Sequence, residues 1–458
     1  MSGLPARRRT VLVSLALAVV SLSVYSGVSA YAAAKAPTAV TVTVSATSNG
    51  RVGTGFAGFS YEKDRVGAGM FDAGNTNLVN LFRLLGPSVL RLGGNLVDMT
   101  TWKSTGAGGN AKEIAPSDVQ KLNGFLQATG WKAIYGINLK TNTAANAASE
   151  AKFAAQTLGS NLIAFEIGNE PNVYKTESTY ETSFSSYVKA IRAKVPGALF
   201  DGPGTYGNNA WMAPFAQHEK NNGLLILSQH TYVGKNTGAS ISGMLASNSS
   251  GKFPGQWSTM GNAKSANGIP QWRMSEANSY FHGGADGVSN VEAAALWSLE
   301  FMYGVASHNG DGVNFHGGTS TQFPLHYSPI VFSGLKPTGV QAVYYGELLW
   351  QLAGSGALHA ASVSGGTGVA AWGIGANVFV TNKGGSAIAA TITLSATASK
   401  ASQYLLTAPS LTSKAITIAG AGVNASGAFN PTPQSVTVSG NKVVVNVPAG
   451  SAVLVVTS

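Results

Sequence analysis

The chain has 458 residues, 44% of them hydrophobic and 10% charged, no cysteine and a formal net charge of +10. That length accommodates a barrel of about 250 residues plus a smaller companion domain. The missing cysteines exclude thiol catalysis, Cys-ligated metals and a disulfide-stapled fold. Outside the N-terminus no block of Lys or Arg suggests a nucleic-acid partner. The positive balance could favour an acidic polysaccharide, but a solvated surface is the commoner explanation.

Residues 1–34 read as an export signal. Arg7, Arg8 and Arg9 precede an apolar run, and small residues around Ala30 to Ala33 offer a cleavage site. A secreted protein is expected, with no membrane attachment once the signal is cleaved. The apolar run is shorter than the ~20 residues of a membrane span.

Next, residues 38–50 alternate Val and Thr, as a strand does. Residues 51–353 then alternate short apolar runs with longer helical patterns. Eight strand candidates begin at Ala57, Ser88, Lys132, Leu162, Ala198, Leu224, Gln271 and Gly312. Helical spacing is clearest from Val291 to Ser307 and from Gln341 to Ala353. Eight βα units predict a (β/α)8 TIM barrel, an α/β fold. No glycine-rich phosphate loop follows the first strand, which argues against an open dinucleotide-binding sheet. Residues 354–458 turn to short Val/Thr strands separated by Gly and Ser, the pattern of an accessory β-sandwich. The 38–50 strand is expected to join that sandwich.

Barrel proteins place their chemistry at the C-terminal strand ends. Those ends carry Glu62, Asn95, Asn169 with Glu170, His230 with Tyr232, Glu276, and His316. Two carboxylates after the fourth and seventh strands, Glu170 and Glu276, would share one rim, which is what cleavage of a glycosidic bond requires. His230 and His316 read equally as substrate contacts or as rim histidines satisfied by their neighbours. The seven histidines form no H-E-x-x-H pattern, so neither a metal site nor a cofactor is expected.

Five strings extend this reading: GFSYEK at 58–63, VLRLGGN at 89–95, FEIGNEPN at 165–172, MSEANSY at 274–280 and GVNFHGG at 312–318. Together they resemble glycoside hydrolase family 79, the heparanase and β-glucuronidase family. The resemblance implies a retaining hydrolase acting on glucuronic-acid-containing oligo- or polysaccharides, with Glu170 as acid/base and Glu276 as nucleophile. It also implies that Asn169 meets the sugar 2-hydroxyl and that Glu62 and Asn95 lie near the sugar. Tyr280, Gly317 and Tyr327 become candidates for the uronic carboxylate, and a monomer is expected. A related β-glycosidase acting on neutral sugars, or a non-catalytic carbohydrate-binding barrel, are the alternatives.

Overall fold

A computed structural model describes residues 36–458; the segment read as an export signal lies outside the described residues. Nine strands carry the architecture. They are β1 (Thr38–Val52), β2 (Ala57–Glu62), β3 (Val89–Gly93), β4 (Lys132–Ile137), β5 (Leu162–Ile167), β6 (Phe200–Tyr206), β7 (Leu224–Lys235), β8 (Gln271–Phe281) and β9 (Gly312–Gly317). Strands β2 to β9 run parallel and close into a barrel, each beside the next in sequence and β9 beside β2.

The barrel strands are apolar nearly throughout because helices cover them outside and side chains fill them inside. Strands β3 and β9 are buried along their whole length. Alternate residues face inward. Val89, Ile134, Ala164 and Ile226 form one small apolar cluster that plugs the lower end. Two residues further along β3 and β5 stand Arg91 and Glu166, also fully buried. One helix shows local sequence setting both of its ends. Pro116–Thr129 opens with proline, whose missing N–H is not needed in a first turn. It ends at Gly130, whose φ of 76° is a left-handed value that costs glycine little.

Strand β1 pairs antiparallel with Gly356–Ser364 and parallel with Ile388–Thr393, inside an eleven-stranded sheet of C-terminal strands. It runs to Val52, two residues past position 50, where the sequence pattern ends. Val42 of β1, Val380, Ile392, Val445 and Val453 share one apolar cluster, so the sheet folds over on itself into two facing layers.

Two helices join the sheet domain to the barrel. Glu292–Ser307 and Ala342–Leu352 are buried on nearly all sides, as helices apolar all round must be. Tyr303 stacks on Trp372 at 4.8 Å, and Trp350 on Phe379 at 5.7 Å. Glu300 accepts hydrogen bonds from the Thr381 hydroxyl and from Lys383. Among the described residues no helix is long and apolar enough to cross a membrane.

Candidate active site

A cavity of about 460 Å3 opens at the C-terminal mouth of the barrel. Glu62, Arg65, Asn95 and Met99 line it from the β2 and β3 ends, and Tyr206, Tyr232 and Phe281 from the β6 to β8 ends. Glu170, Glu276, His316, Gly317 and Tyr327 lie between, and residues 319–323 close one edge.

Glu276 is held in place by three elements. Arg91 Nη1 donates to its Oε2 at 2.6 Å and the Tyr232 hydroxyl to its Oε1 at 2.7 Å. His316 Nδ1 lies 3.6 Å from Oε2. Burial alone would push this carboxyl up. The positive field of His316, His230 and Arg91, with the Tyr232 hydrogen bond, outweighs burial and holds it well below the usual carboxylate range. Glu276 is therefore an anion over the whole physiological range.

Arg91 organises the floor. Its Nε donates to Glu166 Oε2 at 2.6 Å, Nη1 also to Ser60 Oγ, and Nη2 to Asn169 Oδ1 at 2.8 Å. A guanidinium with no exposure survives only when its charge and donors are matched, and two carboxylates match it here. Burial would likewise raise Glu166, but Arg91 and His230 bring it below its ordinary value.

Glu170 follows β5 with φ 45° and ψ 51°. A left-handed conformation costs a non-glycine residue roughly 1–2 kcal/mol, and such strain gathers at functional sites. A backbone hydrogen bond from Glu170 N to Gly204 O at 3.0 Å holds the turn, and Pro171 then redirects the chain. The side chain meets His230 Nδ1 at 3.2 Å through Oε1. Burial and the Arg91 charge push His230 down, yet Glu276, Glu166 and Glu170 win and raise it to about 9.

Glu62 is different. Burial raises it to about 8, even though the Leu96 N–H donates to its Oε2 at 2.7 Å. At neutral pH it is a neutral acid that can donate. Gly94 (φ 71°) lies against this carboxyl, and a Cβ there would strike Glu62 Oε2.

Glu62, Asn95, Glu170, Tyr232, Glu276, His316, Gly317 and Tyr327 thus come together around one cavity. Three candidates do not. His230 is fully buried beneath the floor, its ring between Glu170 on one side and Arg91 and Glu166 on the other. Asn169 uses Oδ1 on Arg91 and Nδ2 on Asn95, and only Asn95 reaches the cavity. Tyr280 turns away: its hydroxyl donates to Ser240 O and accepts from Ser240 N, while the next residue, Phe281, lines the cavity. A register shift in β8 between Met274 and Glu276 means that strand alternation does not carry through to the rim.

Sequence reasoning missed Arg91, Glu166, Tyr206 and Arg65. For the first two a signal existed, because an isolated charge in an otherwise apolar strand needs a partner. Donor atoms of Glu170, Glu276 and His230 lie within 4.8 Å of one another, a spacing that could suit a cation. The donor set does not fit one. Both His230 nitrogens face partners, and Glu276 is shared with a guanidinium whose charge would repel a metal.

No family model matches the chain. It is 26% identical over 254 residues to a beta-glucuronidase of Aspergillus niger, which is 48% of this chain and 46% of the relative. It is 25% identical over 272 residues to a beta-glucuronidase of Neurospora crassa, 51% and 48% of the two chains. The chain thus spans about half the length of the curated relatives it matches. Among solved structures, a 4-O-α-L-rhamnosyl-β-D-glucuronidase from Fusarium oxysporum in complex with Rha-GlcA superposes with a TM-score of 0.74 at 20% identity, covering 91% of this chain and all of that one. A family 51 arabinofuranosidase from Xanthomonas axonopodis superposes with a TM-score of 0.67 at 14% identity, covering 92% and 100%. At these identities the structural likeness establishes the fold, a (β/α)8 barrel with an attached β-sheet domain.

Proposed function

We propose that this chain is a retaining glycoside hydrolase that releases β-linked glucuronic acid from glycans. The observation that carries the reading is the approach of Glu170 and Glu276, with an oxygen of each within 4.8 Å across the cavity floor. Double displacement needs carboxyl groups ~5–5.5 Å apart, whereas inversion leaves ~6.5–9.5 Å for a water.

In this reading Glu276, kept anionic by its positive surroundings, attacks the anomeric carbon. Glu170 protonates the departing oxygen and then activates the water that frees the sugar. With Oε1 occupied by His230, Oε2 of Glu170 is the oxygen left to carry the proton. The uronic acid preference rests on the family 79-like strings and on the two beta-glucuronidase relatives. Gly317, Tyr327 and a protonated Glu62 are among the neutral donors the cavity offers to sugar oxygens.

The test is hydrolysis of paired nitrophenyl β-glucuronide and β-glucoside, with the anomeric form of the first product followed by NMR. Release of β-glucuronate before mutarotation is expected. Preference for the glucoside would overturn the substrate, and initial α-glucuronate would overturn the retaining mechanism.

A further inference from the structure

Arg65 sits on the short helix Asp64–Gly67 directly after β2 and lines the catalytic cavity. Its side chain is only 13% exposed. Nevertheless, no acceptor among the described residues takes a hydrogen bond from its guanidinium, and its Nε is buried without a partner. Asp64 Oδ1 lies beside that nitrogen at 3.3 Å, but out of line, and is itself unpartnered. The two buried guanidiniums, Arg91 and Arg273, are treated differently. Arg91 reaches two carboxylates, and Arg273 donates to Asn314 and to the carbonyls of Gly55, Phe56 and Asp311. A guanidinium carries five donors in a planar fork matched to oxyanions. One that is mostly covered and donates to no protein acceptor is set to receive such a group from outside.

Its position says which part of a substrate that would be. Arg65 also lines a second cavity of about 470 Å3, with Ser320, Phe323, His326, Phe332 and Gln341, separated from the first by residues 319–325. In the ring of eight strands β2 and β9 stand across from β5 and β6. Glu170, at the end of β5, marks the side from which the leaving group departs. Arg65 therefore lies on the opposite side, beyond the sugar that is to be released.

We propose that Arg65 binds an anionic saccharide unit carried on a hydroxyl of the released sugar, through a carboxylate or a sulfate ester. The proposal rests on the reading above that a glucuronate occupies the space over Glu276. It makes the preferred substrates glucuronides capped by an acidic sugar.

Binding of product disaccharides tests this without any need for turnover. Three probes serve: glucuronic acid bearing a 4-O-linked neutral hexose, a hexuronate, or a sulfated hexose, each titrated by calorimetry at low salt. The wild-type protein is expected to bind one anionic probe roughly tenfold more tightly than the neutral one, equivalent to about 1.4 kcal/mol. Arg65→Ala should collapse that ratio, and Arg65→Lys should restore part of it. Whether the carboxylate or the sulfate gains identifies the anion. A wild-type ratio below about threefold, which no folding defect can cause, or a ratio that survives Arg65→Ala, overturns the proposal. Nitrophenyl glucuronide turnover in the same wild-type preparation reports separately on the glycosidase reading.

Discussion

The lower and upper layers of the barrel interior are built on the same strands and differ completely in chemistry. Along β3 the inward step is from Val89 to Arg91, along β5 from Ala164 to Glu166, and along β7 from Ile226 through Ser228 to His230. Both layers are equally buried, so burial does not distinguish them; what each side chain must find there does. An apolar residue gains about 1.5–3 kcal/mol from leaving water and needs no partner. Arg91 is tolerated only because Glu166, Glu276, Ser60 and Asn169 surround it. The lower layer can therefore be read as fold and the upper as function.

The sharpest way to break that division is to remove the upper carboxylates. Glu276→Gln is expected to lower kcat on nitrophenyl glucuronide by about 10^4-fold or more. Glu170→Gln should cost about 10^2–10^4-fold on alkyl glucuronides and much less on nitrophenyl ones, whose leaving group needs no proton. Equal losses on both would remove Glu170 from the acid role. Arg91→Met strands two buried carboxylates and is expected to destabilise by about 3–5 kcal/mol in a denaturant titration. Because Arg91 lowers Glu276, its loss should also move the acidic limb of the kcat/KM profile to higher pH. A destabilised variant with an unmoved limb would make Arg91 purely structural. Ile226→Ala in the lower layer should cost about 2–5 kcal/mol with unchanged kcat/KM per folded molecule; lost activity at full stability would erase the distinction between the layers.

The last effect is one of pH. Burial raises Glu62 from 4.5 to about 8, so the folded chain keeps a proton that the unfolded chain releases. Its contribution to stability is complete below pH 4.5 and is lost as pH rises through about 8. Glu62→Gln should flatten the stability curve across that window, as read from thermal midpoints. An unchanged slope would place the titration elsewhere.

The barrel was legible because eight apolar runs of strand length alternate with helical spacing, and each run contains or overlaps one of β2 to β9. The carboxylates were legible because they follow the fourth and seventh apolar runs, although β8 itself continues past Glu276 to Phe281. What the sequence hid depends on geometry beyond one strand. Tyr280 is drawn off the cavity by the backbone of Ser240, which lies 40 residues away in the chain, and Phe281 lines the cavity instead. His230 looks like a rim residue until the whole network over it is visible. Arg65 is separated from Glu62 by two residues, and nothing in the sequence tells that Lys63 turns into the protein toward Glu150 and the Gly136 carbonyl while Arg65 faces the cavity.

The two helices between barrel and sheet have a bearing on engineering. Their outer faces are as apolar as their inner ones, with Tyr303 and Trp350 stacked against the sheet. A barrel excised at Ala353 would present that strip to solvent and precipitate or self-associate. The sheet is thus not a portable accessory: recombination that grafts a different sheet onto this barrel must bring counterparts of Trp372, Phe379 and Lys383, or lose the soluble product.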